Sequence, residues 1–349
     1  MEMQRKLREW FASHARDLPW RHTRDPYLIW LSETMLQQTR VDQVLPYYKR
    51  FVKRFPDVKS LAAANDDEVF RLWEGLGYYR RAQNMLKAAR KIAETYQGQF
   101  PSTYTELLSL PGVGPYTAAA IASFAFHIPV AVADGNVMRV LSRLFDIREP
   151  VNTPAGQKIF RQKALAFLDR KYPAIHNQAM MELGALICTP RSPRCEQCPL
   201  RHSCMAYEHS LTGILPVRLP KTKPAHRRMD YLISVVADKV ALQKRNKQDI
   251  WYRLYEFVPI SIEAGSGKKT AGNIRRMFGL PKSPELLEIR KHVLTHRRLE
   301  IYFWFTDSLL ETATYVPTGE LKHYSLPVPL RQVWEKYFSE GIHPDGRIK

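Results

Sequence analysis

Two acidic side chains in this 349-residue chain stand where acidity could do chemistry. Glu33 lies in "YLIWLSETMLQQ", among Ile29, Trp30, Met35 and Leu36. A carboxyl desolvated by such neighbours has a raised pKa and can donate a proton near neutrality. The helical periodicity equally allows an exposed surface glutamate. Asp134 follows an apolar run in "VAVADGNVMRVLSRLF", at the start of a helical pattern. As an N-cap it would accept backbone N–H bonds and stay ionised, and capping alone is the default role for such an aspartate. Together, a neutral acid and a fixed anion are what cleavage of a glycosidic bond needs. The acid assists the leaving group, and the anion stabilises an oxocarbenium-like sugar.

Two further patterns carry chemistry. In "LPGVGPYTA" (110–118), Gly112 and Gly114 flank Val113, and Pro115 then opens an apolar helix pattern. Glycine tolerates positive φ, so the pair can form a tight turn with outward amides at a helix N-terminus, a ready anion site. With "TYTELLSL" before it, the stretch reads as a helix-hairpin-helix gripping a DNA phosphate backbone, or as a plain helix-to-helix turn. The second pattern is Cys188, Cys195, Cys198 and Cys204, all the cysteines of the chain within seventeen positions. Four thiolates so spaced suit a [4Fe–4S] cluster or a structural zinc. Only one CxxC pair is present, which favours the cluster; His202 is a bystander.

The elements that must hold these residues are helical up to about 190. Asp25-Pro26 is a cap followed by proline at the first helical position. Val41, Val44, Leu45, Tyr48, Phe51, Val52 and Phe55 then recur at helical spacing, with Pro46 predicting a kink or a late start. Further helical patterns cover 66–75, 79–96, 103–109, 115–126, 136–145, 154–171 and 174–187. Pro216, Pro220 and Pro224 alternate with basic residues in 215–228, which reads as an extended linker. Beyond it, β-rich stretches at "YLISVVAD", "VALQKR", "RLYEFVP" and "LEIYFWFTD" are interspersed with helical pieces at 270–278, 283–288 and 330–338. The expected architecture is multidomain: an all-α domain over 1–214 holding the cysteine region, the 215–228 linker, and an α+β domain over 229–349.

Composition narrows the partner. There are 53 Lys and Arg against 34 Asp and Glu, a net charge of +19 spread along the chain. That favours nucleic acid over a merely solvated basic surface. No apolar run approaches the roughly 18 residues of a membrane span, and the charged N-terminus has no apolar signal core. The expectation is a cytoplasmic protein whose thiols stay reduced, with no membrane partner.

Taken in order, "RDLPWR" (16–21), "SETMLQQTRV" (32–41), "WEGLGYYRRA" (73–82), "LPGVGPYTA" (110–118), "DGNVMRVLSRL" (134–144) and "NQAMMELGALICT" (177–189) resemble the helix-hairpin-helix DNA glycosylases with an iron–sulfur cluster, the endonuclease III superfamily. The cysteine spacing and the C-terminal region also match the MutY family, adenine DNA glycosylases that act on adenine mispaired with 8-oxoguanine. The resemblance spans nearly the whole chain. It implies Glu33 as the acid that protonates the adenine ring, Asp134 as the anion facing the developing cation, and Asn136 and Tyr116 as their supports. It places Trp20, Arg21, Leu36 and Gln178 at the pocket for the extruded adenine, and extrusion is required because the bond cannot be reached within the duplex. Gln38, Thr39, Leu76 and Tyr78 match residues that fill the gap and contact the 8-oxoguanine side. Core packing is the alternative for Trp20, Leu36, Leu76 and Tyr78.

The resemblance further implies a [4Fe–4S] cluster, a structural cation at the hairpin, a double-stranded DNA partner with 8-oxoguanine:adenine or guanine:adenine mispairs, and a monomer. The C-terminal region resembles a nudix hydrolase fold without its acidic metal-binding box, implying lesion recognition there without pyrophosphatase chemistry. Where the family often has Phe-Ser-His, this chain has Leu294-Thr295-His296; Thr295 keeps a hydroxyl but the aromatic ring is gone. Endonuclease III-like enzymes carry lysine at the position of Tyr116, whose amine forms a Schiff base with the sugar. A phenol cannot, so base removal without strand cutting is expected. The rivals are such a bifunctional enzyme on oxidised pyrimidines, a non-catalytic redox-sensing DNA-binding protein, and a free-nucleotide pyrophosphatase.

Overall fold

A computed structural model of the protein describes residues 2–220, 224–261, 270–294 and 296–338. The chain packs as two units, Met1–Ala64 with Gln83–Pro220, and Asn65–Ala82 with Lys221–Lys349. The second unit thus takes in a short segment that the linear boundary at 215–228 does not separate from the first.

In the first unit, helices begin where small polar caps and prolines put them. They are α1 (Glu2–His14), α2 (Pro26–Leu36), α3 (Val41–Arg54) and α4 (Val58–Ala62). After α5 (Asp66–Trp73), which lies in the other unit, follow α6 (Arg80–Thr95), α7 (Tyr104–Leu108), α8 (Pro115–Phe126), α9 (Gly135–Leu144), α10 (Pro154–Phe167), α11 (Pro173–Leu186) and α12 (Met205–Glu208). Asp25 caps α2 by accepting from the Tyr27 N–H at 2.8 Å, and Thr153 caps α10. Such caps satisfy backbone donors that a helix start otherwise leaves open. Helix α3 begins at Val41 and runs through Pro46, so no late start occurs. Its buried Val44, Tyr48 and Phe51 offset the one hydrogen bond that proline forfeits.

Helices α2 and α8 are apolar almost all round and form the centre of the unit, packed against each other. Four alanines of α8 (118, 119, 120 and 122) are fully enclosed and permit close approach. A second core joins Leu7 and Trp10 of α1, Val140 and Leu144 of α9, Phe160 of α10 and Leu183 of α11. Among the described residues no helix is long and apolar enough to cross a membrane.

The second unit holds a mixed sheet. Its strands are β1 (Ala225–Val236), β2 (Lys239–Lys244), β3 (Tyr255–Glu256), β4 (Val258–Pro259), β5 (Glu285–Val293), β6 (Arg297–Thr306) and β7 (Thr314–Pro317). The order is β3-β2-β1-β6-β5, with β4 on β1 and β7 on β2; β1 and β6 run parallel from Ala225↔Arg297. Helix α13 (Ala271–Phe278) covers one face with Ile274 against Leu232 and Trp304. Helix α14 (Val328–Phe338) covers the other with Leu330, Val333 and Trp334 against Tyr231, Ile233 and Phe303. Coverage on both faces explains why β1 is buried without a break from Met229 to Val235.

Two expectations are corrected here. Residues 285–288, within the piece 283–288 read as helical, belong to β5, which pairs with β6 through Ile289↔Tyr302. Short apolar runs carry no period that separates strand from helix, and pairing decides. Residues 225–228, read as linker, are already part of β1.

Candidate active site

Glu33 occupies the last third of α2 and is 3% exposed. Tyr116 stands in the first turn of α8, so the packing of α2 on α8 brings the two together: the Tyr116 hydroxyl donates to Glu33 Oε2 at 2.5 Å. Burial pushes the Glu33 carboxyl up to about 7; the Tyr116 hydrogen bond pulls it down, the charge of Asp134 raises it and Arg21 lowers it. The acid is therefore shifted toward holding its proton near neutrality, the direction its apolar sequence environment predicts. The same burial, with Glu33 and Asp134 beside it, holds the Tyr116 phenol well above its ordinary value. It is a neutral donor at physiological pH.

Asp134 is the N-cap of α9, its Oδ1 accepting from Val137 N–H at 2.7 Å and its Oδ2 from Asn136 Nδ2 at 2.9 Å. The cap is the one the sequence predicts, but its consequence differs. Burial raises the Asp134 pKa despite the bonds from Val137 and Asn136 and the charge of Arg139. Three donors and a cation do not outweigh the lost water. The carboxylate is thus a costly anion, which a developing positive charge would relieve.

The supports of this pair lie in residues that sequence reasoning passed over. Arg139, buried, donates to Asn136 Oδ1 at 2.8 Å, to Gly184 O and to Cys188 O, both at 2.7 Å. Asn177 bonds Val130 O and the Val132 N–H, holding the extended segment that delivers Asp134. Gly184 lets α11 approach α9: an added Cβ would stand 2.6 Å from Asn136 Cβ. Glu182, 1% exposed, takes paired bonds from Arg16 and from Arg21, the latter at 2.7 and 3.0 Å. Burial would raise its pKa, but these bonds outweigh it and hold it at about 2. All four residues lie inside the quoted motifs. The i, i+3 step from Asn136 to Arg139 is the signal that could have found one of them.

Of the pocket residues, Trp20 is buried edge-on to Tyr48 with ring centroids 5.1 Å apart, and Arg21 is committed to Glu182. Leu36 ends α2 half-buried, and Gln178 is half-buried on α11. Gln38 is exposed with φ of 57°, and the Thr39 hydroxyl donates to Gln37 O. Leu76 and Tyr78 belong to the other unit, where Leu76 is buried and Tyr78 is 44% exposed. Leu294 packs on the sheet core there, His296 is exposed, and Thr295 lies outside the described residues.

The hairpin is formed. Helix α7, capped by Thr103, is followed by a turn in which Val113 N–H donates to Leu110 O at 3.1 Å. Gly112 has φ of +76°, and a Cβ there would meet Asn84 Cβ at 2.6 Å, so the turn requires glycine. Gly114 caps α8 without any side-chain bond and faces open space. Val113 between the two glycines is buried.

The four cysteines, unpaired with one another, line one cavity with Arg143, Arg201 and Tyr207. Four thiols lining one cavity can serve one shared cluster. Burial pushes the Cys198 thiol up to about 12, so thiolates there need positive partners. Arg143 is one, donating to Cys188 Sγ at 3.3 Å and to Thr189 O at 2.7 Å.

Comparison with known proteins bears on the family and the fold. Residues 31–163 match the HhH-GPD superfamily of base excision DNA repair proteins, residues 188–204 the iron–sulfur binding domain of endonuclease III, and residues 231–336 the NUDIX domain. An adenine DNA glycosylase of Buchnera aphidicola subsp. Baizongia pistaciae is 36% identical over 255 residues, 71% of each chain. One from Mus musculus is 43% identical over 219 residues, 60% of this chain and 42% of the mouse protein. A solved thermostable thymine-DNA glycosylase superposes with a TM-score of 0.56 at 30% identity, over 60% of this chain and 96% of its own. A non-covalent endonuclease III–DNA complex, 24% identical with a TM-score of 0.51 over 60% of this chain and 97% of its own, shares the fold. The cofactor of the 188–204 region is a [4Fe–4S] cluster held by Cys188, Cys195, Cys198 and Cys204. On the acid–phenol pair, the capped aspartate, the cluster loop and these relatives, the chain belongs to the adenine DNA glycosylase family of the helix-hairpin-helix superfamily.

Proposed function

We propose that the protein excises adenine mispaired with 8-oxoguanine or guanine in double-stranded DNA, by hydrolysis that leaves an abasic site. The observation that carries this reading is the buried Glu33, its pKa near 7 and its Oε2 held by Tyr116. With Oε2 engaged, Oε1 is the atom free to carry the proton, and it donates that proton to the extruded adenine ring. As the glycosidic bond lengthens, the sugar gains positive charge, which the costly Asp134 carboxylate stabilises. Asn136, itself held by Arg139, keeps that carboxylate aimed. Water then takes the place of the base.

Tyr116 is a phenol and has no amine for a Schiff base, which favours base removal without strand cutting over the bifunctional alternative. Arg21 and Trp20 wall the adenine pocket with Leu36 and Gln178. The Gly112–Gly114 turn and the uncapped start of α8 take a DNA phosphate through backbone amides. Gln38 and Thr39 of the first unit contact the duplex, and so does Tyr78 of the second. The nudix-like region reads the lesion through Leu294-Thr295-His296, of which Leu294 serves as an apolar support. The cluster supplies iron–sulfur crosslinks that tie the 188–204 loop in place.

The test is excision on duplexes carrying adenine opposite 8-oxoguanine, guanine or thymine, with an alkaline step to reveal abasic sites. Release opposite the first two, lost in Glu33→Gln, is expected. Release by Glu33→Gln at the wild-type rate would overturn the enzymatic reading. Efficient trapping of a covalent DNA adduct by borohydride would overturn the absence of a lyase step.

A further inference from the structure

Residues Asn65–Ala82 pack with Lys221–Lys349, far from them in sequence. Helix α5 carries Asp66, Asp67 and Glu68 in its first turn, where the helix dipole favours acid. Arg253 reaches Asp66 Oδ2 at 2.5 Å, Lys244 reaches Asp67 Oδ1 at 2.6 Å, and the Tyr255 hydroxyl donates to Asp67 Oδ2 at 3.2 Å. At the other end, Arg331 of α14 takes Glu74 in a fork, Nε to Oε1 at 2.8 Å and Nη2 to Oε2 at 3.1 Å. The same guanidinium donates to Leu321 O and Tyr324 O, so it is fixed before it meets Glu74. The side chains of Arg331 and Glu74 are 16% and 18% exposed, against 44% and 22% for Arg253 and Asp66. Exposed pairs contribute little, and a shielded bidentate pair contributes most. Glu74 is therefore the firm point of attachment.

Glu74 is also where α5 stops and the turn to Tyr78 begins. Gly75, Gly77 and Tyr78 all adopt left-handed φ, at 93°, 77° and 50°. Such a backbone is strained at tyrosine and persists only when its surroundings dictate it. The Trp73 indole N–H donates to Gly77 O at 2.9 Å, Arg81 donates to the same oxygen at 3.1 Å, and the Arg81 guanidinium lies 5.2 Å from the Trp73 ring and 5.4 Å from the Tyr78 ring. The turn is thus built directly on the end of α5, and any tilt of α5 moves the Tyr78 ring.

We propose that the Arg331–Glu74 pair is a positioning device for base extrusion, by which the nudix-like part of the chain sets the turn that presents Tyr78 to the duplex. The proposal rests on the reading of Tyr78 as a DNA contact. It assigns α14 and Arg331 a part in base extrusion in addition to any reading of the lesion.

The experiment uses the full-length, cluster-containing protein and a duplex with 2-aminopurine at the target position, whose fluorescence rises on extrusion. Arg331→Ala and Glu74→Ala should each weaken the extrusion signal and raise the apparent Kd roughly tenfold. The alkaline limb of the excision rate, set by Glu33, should not move. Tyr78→Ala combined with Arg331→Ala should lose no more than Tyr78→Ala alone, since both act through one ring. Arg331→Lys, which keeps the charge but cannot make the fork, should fall between. Full additivity, or wild-type extrusion in Arg331→Ala and Glu74→Ala while Tyr78→Ala fails, would overturn the proposal. If Tyr78→Ala itself extrudes normally, the reading of Tyr78 beneath it falls, and the proposal with it.

Discussion

Replacing Tyr116 by phenylalanine would remove the hydroxyl that donates to Glu33 Oε2 and keep the ring. Burial raises the Glu33 pKa to about 7, and the Tyr116 hydrogen bond opposes that rise because it favours the carboxylate. A hydrogen bond to a charged acceptor contributes about 1.5–3 kcal/mol, and part of it survives when the carboxyl is neutral. At about 1.4 kcal/mol per pH unit, the remainder amounts to a shift of roughly one unit. The wild-type rate of adenine release should fall as pH rises through about 7, since only the protonated acid reacts. In Tyr116→Phe the plateau should drop, but the falling limb should move up by that unit. Stability follows the same sign. The folded pKa lies above the ordinary 4.5, so the contribution of Glu33 is full below 4.5 and is lost as pH rises through about 7. In the variant that loss extends to higher pH. Single-turnover excision, measured against pH with alkaline cleavage of the abasic product, reads the limb directly. A limb that stays put or moves down would refute the reasoning.

Three further outcomes are expected. Gly184→Ala would place a Cβ 2.6 Å from Asn136 Cβ and 2.9 Å from Asn136 O. Overpacking of this kind costs about 1–3 kcal/mol, so the melting temperature should fall and excision should drop far more than DNA binding; unchanged excision would count against Asn136. Glu182→Ala would leave Arg16 and Arg21 facing each other, at about 3–5 kcal/mol near neutral pH in urea unfolding. Because the Glu182 pKa is depressed to about 2, its contribution is present above 4.5 and is lost as pH falls through about 2, so the deficit of the variant should shrink in acid. A deficit that stays constant in acid would show that the ion pair is not its source. Arg143→Ala would strip the donor from Cys188 Sγ, Thr189 O and Leu215 O, and iron content and visible absorbance should fall; full iron retention would refute that role.

Much of this protein is local and therefore legible along the chain. Asp25 and Asp134 are caps whose function depends on residues two or three positions away, and both cap the helices their positions suggest. The apolar neighbours of Glu33 already imply its desolvation, and the four cysteines within one short loop already imply a shared ligand. A positive φ at Gly112 is a backbone property that glycine declares by itself.

What only the tertiary structure decided are encounters between distant segments and the balance of opposing terms. The Tyr116–Glu33 bond spans 83 positions, and the Arg331–Glu74 fork 257. No periodicity encodes either. The shift of Asp134 sets burial against hydrogen bonds, and only the folded surroundings determine that burial wins. Residues 285–288 became a strand because β6 offers them a partner, and Asn65–Ala82 joins the nudix-like unit because basic side chains there meet its acids. Caps and glycine turns act through neighbours along the backbone, whereas desolvation, ion pairing and strand pairing act through space, and space is filled only when the chain has folded.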